Sequence, residues 1–200
     1  MTQTIGIYLY DEVEVLDFAG PLEVFNTATR MHRKLYGGRK NRFKVVTVAE
    51  KPGAITARGG LVVMPDADFT NQPPLDVLIV PGGVHTAELD KSAVIDWVKR
   101  TDQAVVITAS VCTGAFILGK AGILNGFHVT THWEDIADLR AMLPRTHVEE
   151  NARWVDEGRI VTSAGISAGI DMALHLIAKL EDQDLAIRTA RQMEYDWQKR

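Results

Sequence analysis

The sequence predicts an α/β fold with a mostly parallel sheet and helices on both faces, and three observations point to it. Short runs rich in Val, Ile and Tyr alternate with amphipathic stretches along the chain. Two of those runs, residues 77–80 and 104–109, are almost continuously apolar, as strands covered on both faces are. Each of the two ends in a glycine-containing loop, and in open α/β sheets ligands bind outside the carboxyl ends of the strands. The 200 residues suit one domain, 1–200, with a single core and no linker.

Element by element, Ile5-Gly6-Ile7-Tyr8-Leu9-Tyr10 reads as the first strand and residues 43–48 as the second. Between them, residues 17–35 place Leu22, Phe25, Ala28 and Met31 at helical spacing, with Pro21 suited to a first turn. Residues 55–64, broken by Gly59-Gly60, read as a small peripheral hairpin or bent strand pair whose turn uses glycine's tolerance of positive φ. Residues 77–80 run into Pro81-Gly82-Gly83, and residues 104–109 into Ser110-Val111-Cys112-Thr113-Gly114, with a helix from Thr113 to Leu118. A short strand is expected at 128–130. Residues 153–156 and 159–163 flank a Glu157-Gly158 turn, and two helices follow over 166–181 and 184–197, the first strongly apolar.

Composition narrows the function. With 46% hydrophobic and 24% charged residues the chain can fill a core, and a net charge of −4 offers no basic field for phosphate backbones, so nucleic acid is not an expected partner. No apolar run approaches the ~18–20 residues of a spanning helix, and the first residues lack a basic start and cleavage site, so a cytoplasmic protein without membrane contact is expected. One cysteine excludes an intrachain disulfide and suits a reducing compartment. The basic stretch 30–42 reads as a solvated helix end and loop.

Chemistry concentrates on Cys112. A buried strand that turns straight into a helix lifts the turn residue to the sheet edge, as in a nucleophile elbow. The helix start lowers a thiol pKa, so an exposed, reactive thiol is expected, with the N–H groups of Thr113 and Gly83 as an anion hole. A free cysteine is as readily a small buried hydrophobe, and the turn alone leaves both readings open. Asp17, among apolar neighbours in Val15-Leu16-Asp17-Phe18-Ala19-Gly20-Pro21, is either a helix cap or a buried carboxyl that exchanges protons with the thiol. Glu12 and Glu14 read as solvated.

His132, in Thr130-Thr131-His132-Trp133, could reach the same rim and is either an accessory to Cys112 or a structural hydrogen-bonder; His85 is expected near the rim but exposed. The six histidines show no His-x-x-x-His or comparable spacing, so no metal is expected. The Gly165-Ile166-Ser167-Ala168-Gly169 segment lacks a nucleotide-binding pattern; its glycines suit close packing, with Ile166 shaping the pocket.

Pro81-Gly82-Gly83, Ser110-Val111-Cys112-Thr113-Gly114, Thr130-Thr131-His132-Trp133 and Ala164-Gly165-Ile166-Ser167-Ala168-Gly169-Ile170-Asp171, in that order, resemble the DJ-1/PfpI superfamily from about Thr4 to Glu181. Leu16-Asp17-Phe18-Ala19-Gly20-Pro21 together with Cys112-Thr113 is similar to the isocyanide hydratase branch and to the related sensor domain of AraC-type regulators. The resemblance implies a flavodoxin-like three-layer sandwich, usually a homodimer, with Cys112 on the elbow and Asp17 as its acidic partner. Gly82, Gly83, Thr113 and Ile166 take the substrate-binding positions. Protease-like relatives have histidine after the cysteine where this chain has Thr113, which speaks against peptidase activity. The hydratase branch has a more glycine-rich version of Ser163-Ala164-Gly165-Ile166-Ser167, with threonine at the last position, so pocket shape departs there. The regulators append a helix-turn-helix region, whereas this chain ends at Arg200 after two helices read as part of the domain.

The expected activity is cofactor-free hydration of an isocyanide, a small uncharged electrophile, to an N-substituted formamide through a thioimidate on Cys112. The alternatives are glyoxalase-like conversion of methylglyoxal to lactate and a non-catalytic redox or ligand sensor built on the same thiol.

Overall fold

The computed structural model describes residues 1–37 and 41–198. In chain order the elements are β1 (Gln3–Leu9), α1 (Val15–Tyr36), β2 (Phe43–Ala49), β3 (Ile55–Thr56), β4 (Val62–Val63), β5 (Ala67–Asp68), β6 (Val77–Val80), α2 (Thr86–Leu89), α3 (Ser92–Ala104), β7 (Ile107–Val111), α4 (Gly114–Lys120), β8 (His128–Val129), α5 (Ile136–Met142), β9 (His147–Val148), β10 (Trp154–Glu157), β11 (Ile160–Ser163), α6 (Ala168–Leu180) and α7 (Gln183–Gln192). Seven strands form one sheet in the order β10-β11-β7-β6-β1-β2-β5, parallel except for the β10–β11 hairpin. Helices α1, α6 and α7 pack on one another in one layer and α2, α3, α4 and α5 associate in the other. The α/β sandwich predicted from alternating runs is the observed fold.

All four residues of β6 and all five of β7 are buried, so their side chains are apolar or hydrogen-bonded, with the Ser110 hydroxyl as the exception. Thr108 in β7 meets that requirement by donating its hydroxyl to Asp102 at 2.7 Å. One boundary is misplaced by the sequence. Residues 104–106 read as strand, but Ala104 ends α3, and β7 begins at Ile107. Valines at 105 and 106 carry no periodicity that separates a helix end from a strand start. Helices α3 and α5 and strand β5 were not legible either, whereas the hairpin β3–β4, with Gly59 and Gly60 at positive φ, forms in the expected place.

The helix after β1 starts two residues earlier than predicted, at Val15, so Pro21 lies inside it rather than in the first turn. Lacking an N–H, Pro21 cannot donate to the carbonyl four residues back, which belongs to Asp17. The helix after Glu181 stops at Gln192, short of the predicted 197, with Glu194 at φ 51. Of the basic stretch 30–42, residues 38–40 lie outside the described residues. Arg30 pairs with Glu23 at 2.9 Å and Arg42 with Glu181, so the described part ties down helix and strand ends. No helix among the described residues is long and apolar enough to cross a membrane.

Parallel pairing sets the carboxyl ends of β11, β7, β6 and β1, four neighbours, along one edge of the sheet. The chain order reverses between β1 and β6, the switch point at which such sheets open a crevice. The elbow after β7 fits this crowded edge because Gly114 has no side chain: a Cβ there would lie 2.0 Å from the Val80 carbonyl oxygen, a backbone atom that cannot swing away. Gly114→Ala should therefore destabilise the protein by about 1–3 kcal/mol, the range of an overpacked core. Thermal unfolding checks this; an unchanged midpoint would show that β6 and the elbow are not in close contact.

Candidate active site

Cys112 is the residue at which β7 turns into α4. Its φ is +54°, a conformation that costs a non-glycine residue free energy and persists only where neighbours enforce it. Three bonds do so. The Cys112 N–H donates to the Ser163 carbonyl at 3.1 Å, Thr131 Oγ1 donates to the Cys112 carbonyl at 2.8 Å, and the Ala115 N–H reaches the same carbonyl at 3.4 Å. A second strained residue faces it, since Ile166, β-branched, is held at φ +50°. Arg153 fixes that loop from behind, through an ion pair to the buried Asp171 and a 3.4 Å bond to Ser167 Oγ. Gly165 allows the approach of His132, whose Cδ2 lies 2.0 Å from where a Cβ would stand.

The thiol is not presented to solvent as the elbow geometry suggested. Cys112 is only 7% exposed and forms part of the floor of a cavity of about 300 Å³. Asp17 is fully buried beside it. The carboxyl does not cap α1; the N-cap is Glu14, and Asp17 Oδ2 instead accepts the Gly82 N–H at 2.9 Å. Its other oxygen is buried without a hydrogen bond of normal geometry, while the Cys112 thiol and the Ile166 N–H both favour the ionised carboxylate. Burial dominates, and pushes the Asp17 pKa up to about 7, with nearby Glu14 adding to the rise.

The same burial, reinforced by the Asp17 charge, pushes the Cys112 pKa up to about 12. The N–H groups of Thr113 and Ile166 pull it down but do not prevail. Burial and the neighbouring carboxylate thus oppose the thiolate that the helix start was expected to favour. Helix α4 has seven residues and contributes little field, whereas desolvation and a neighbouring carboxylate both oppose a thiolate. Near neutrality the pair keeps a proton, and sulphur holds it when Asp17 is ionised.

The predicted anion hole changes one member. Gly83, at φ +141°, has its N–H engaged by Thr113 Oγ1 at 3.0 Å, and that hydroxyl also donates to the Gly83 carbonyl at 3.0 Å. A Cβ on Gly83 would meet the Glu12 carbonyl at 2.3 Å, so glycine is required by the backbone rather than by a ligand. The amides directed at the sulphur are those of Thr113 and Ile166. Gly82 contributes through Asp17, and Gly83 and Ile166 line the cavity.

His132 borders the same cavity, but its Nδ1 accepts the Glu134 N–H at 3.3 Å and lies 3.4 Å from Asp135; no hydrogen bond links it to Cys112 among the described residues. His85, expected to be exposed, is half-buried against the Phe116 ring, 4.6 Å between centroids, and burial lowers its pKa so that it is neutral at pH 7. The sequence reading missed two charged wall residues, Glu14 and Arg58, paired at 3.3 Å. Arg58 comes from the hairpin expected to be peripheral. That hairpin in fact grips the loop after β1, through Arg58 N–H to the Val13 carbonyl at 2.9 Å and Glu12 N–H to the Thr56 carbonyl at 2.8 Å. No local pattern around Arg58 signals this.

A cysteine on a strained strand-to-helix turn at the switch point of a parallel sheet, sharing a proton with a buried carboxyl, defines a cysteine-elbow α/β protein. The chain belongs to the DJ-1/PfpI family, which it matches over residues 3–179. It is 33% identical over 196 residues to an isonitrile hydratase of Pseudomonas putida, covering 98% of this chain and 79% of that protein. It is 30% identical over 192 residues to the HTH-type transcriptional regulator CdhR of Pseudomonas aeruginosa, covering 96% of this chain and 55% of the regulator. Among solved structures, a ThiJ/PfpI family protein from Pseudomonas syringae superposes with a TM-score of 0.85 at 29% identity, covering 98% of this chain and 76% of that one.

The Asp17 shift has a consequence for stability. A folded-state pKa of about 7 against an ordinary value of 3.8 means that the folded form holds this proton more tightly, so stability falls as pH rises from about 4 to about 7. Three pKa units correspond to roughly 4 kcal/mol. Asn at position 17 keeps the Gly82 bond and has no charge to bury, so Asp17→Asn should be flatter over that pH window and more stable than the parent at pH 8. Urea unfolding across the window measures both slopes; equal slopes would show that Asp17 is ionised in the fold without cost.

Proposed function

We propose that the protein hydrates isocyanides to N-substituted formamides, with Cys112 as nucleophile and Asp17 as the proton carrier. The observation that carries this reading is the buried Cys112–Asp17 pair at the base of a small cavity. The chemistry needs one sulphur, one movable proton and room for a compact substrate, and no cofactor. The likeness to the Pseudomonas putida isonitrile hydratase over nearly the whole chain supports the same substrate class. A cavity of about 300 Å³ suits a small molecule.

Because the thiol retains its proton, the reaction starts with Asp17 as base. The carboxylate takes the proton from Sγ as sulphur bonds to the terminal isocyanide carbon, and the protonated Asp17 then delivers that proton to the same carbon. The product is a thioimidate, N=CH–S, in which carbon is bonded to Cys112. The N–H groups of Thr113 and Ile166 steady the charge on sulphur while the proton is away. Water next adds to the thioimidate carbon, its proton passing through Asp17; the C–S bond breaks, nitrogen gains a hydrogen, and formamide and thiol are released. Glu14 and Arg58 give the cavity one charged wall.

A second reading, a ligand-binding domain without turnover, is favoured by the 30% identity to a transcriptional regulator of which this chain covers about half.

Assay of purified protein with alkyl isocyanides, and with methylglyoxal in parallel, tests the reading. Isocyanide turnover should fall by roughly 10³-fold or more in Cys112→Ala, while the circular dichroism stays unchanged. For the parent, kcat/KM should rise with pH through about 7, because only the ionised Asp17 can accept the thiol proton. Undiminished turnover in Cys112→Ala would refute the nucleophile; tight isocyanide binding with no turnover would favour the ligand-binding domain.

A further inference from the structure

We infer that His128, His147 and Glu149 form a binding site for a divalent first-row transition ion, zinc being the ion that the donors suit best. The site is separate from the Cys112 cavity. Strands β8 and β9 pair in parallel with His128 opposite His147, which sets the two imidazoles side by side on one face. Glu149 follows His147 by two residues and so returns to that face. The two imidazole nitrogens and the carboxylate oxygen all lie within 4.8 Å of one another. His128 Nδ1 and Glu149 Oε1 are 3.2 Å apart, and the two imidazole centroids 4.7 Å apart.

That spacing is close to what an ion requires. Bonds of about 2.0–2.2 Å to nitrogen and oxygen in a tetrahedron put neighbouring ligand atoms roughly 3.3 Å apart. The His128–Glu149 pair already meets this, and rotation of the exposed His147 side chain closes the rest. Two imidazoles and a carboxylate are a donor set that zinc accepts with water in the fourth position. The backbones are fixed in advance. The Glu149 N–H donates to the Val129 carbonyl at 2.8 Å, and Thr130 Oγ1 donates to the Glu149 carbonyl at 2.9 Å. An ion here would clip together two strands of only two residues each. Sequence spacing gave no hint of this trio because strand pairing, not a helical turn, assembles it, and the proposal departs from the expectation that the chain holds no metal.

Zinc titration of tag-free full-length protein in a Cys112→Ser background, competing against a chromophoric indicator, tests the site. That background removes the thiol as a rival ligand. One zinc ion per chain should bind, and thermal stability should rise with it. His128→Ala and His147→Ala should each weaken binding by roughly tenfold or more, since even outer-shell losses around bound metals reach that size. Both side chains are exposed, so circular dichroism should match the parent. Glu149→Gln should weaken binding too, whereas His132→Ala should leave it unchanged. Absence of binding at micromolar zinc, or parental affinity in the His128→Ala/His147→Ala double variant, would overturn the assignment.

Discussion

Everything at the active edge of this molecule follows from holding a sulphur and a carboxyl together out of water. Cys112 and Asp17 come from elements far apart in sequence, and the Asp17 charge opposes ionisation of the thiol beside it. The fold keeps them in place by backbone means: the Gly82 N–H binds Asp17, and the amides of Thr113 and Ile166 point at the sulphur. None of these donors depends on a side-chain rotamer, so the pair is set as firmly as the sheet itself.

Strain is distributed around that pair. Cys112 and Ile166 both adopt left-handed backbone conformations that their side chains disfavour, and Glu12, at φ 67°, does so in the loop that meets Gly83. Cys112 is anchored from two strand ends, β11 at its N–H and the β8 connection at its carbonyl, and the β3–β4 hairpin anchors the loop of Glu12. The parallel sheet makes this economical in chain length, because four neighbouring strands deliver their loops to one edge. Burying a thiol in this way opposes thiolate formation, and in the proposed mechanism the neighbouring Asp17 carboxylate compensates by taking the thiol proton.

The layers, the two central strands and the elbow were legible in the sequence because they rest on strong local signals: unbroken apolar runs, paired glycines and a lone thiol between strand and helix; the Asp17–Cys112 association came from the family resemblance, since the residues around Asp17 left a helix cap open as well. What was not legible has a common physical cause. The helix start suggested a reactive thiolate, but the sign of a pKa shift depends on solvent exclusion by residues remote in sequence, here outweighing a short helix. Gly83 looked like a free amide donor until Thr113, thirty positions away, supplied an acceptor. Arg58 lies beside a glycine turn with no pattern around it, and only the hairpin's hold on the loop after β1 brings it to the cavity.

The central claim is that burial and the Asp17 charge keep the Cys112 proton in place near neutrality. The most direct measurement is the rate of Cys112 alkylation by a small neutral reagent as a function of pH, in the parent and in Asp17→Asn. The account predicts a parental midpoint well above the ordinary thiol value of 9.0, and a lower midpoint in the variant, where no carboxylate opposes the thiolate. A parental midpoint near or below pH 7, or one that does not fall when the charge is removed, would contradict it.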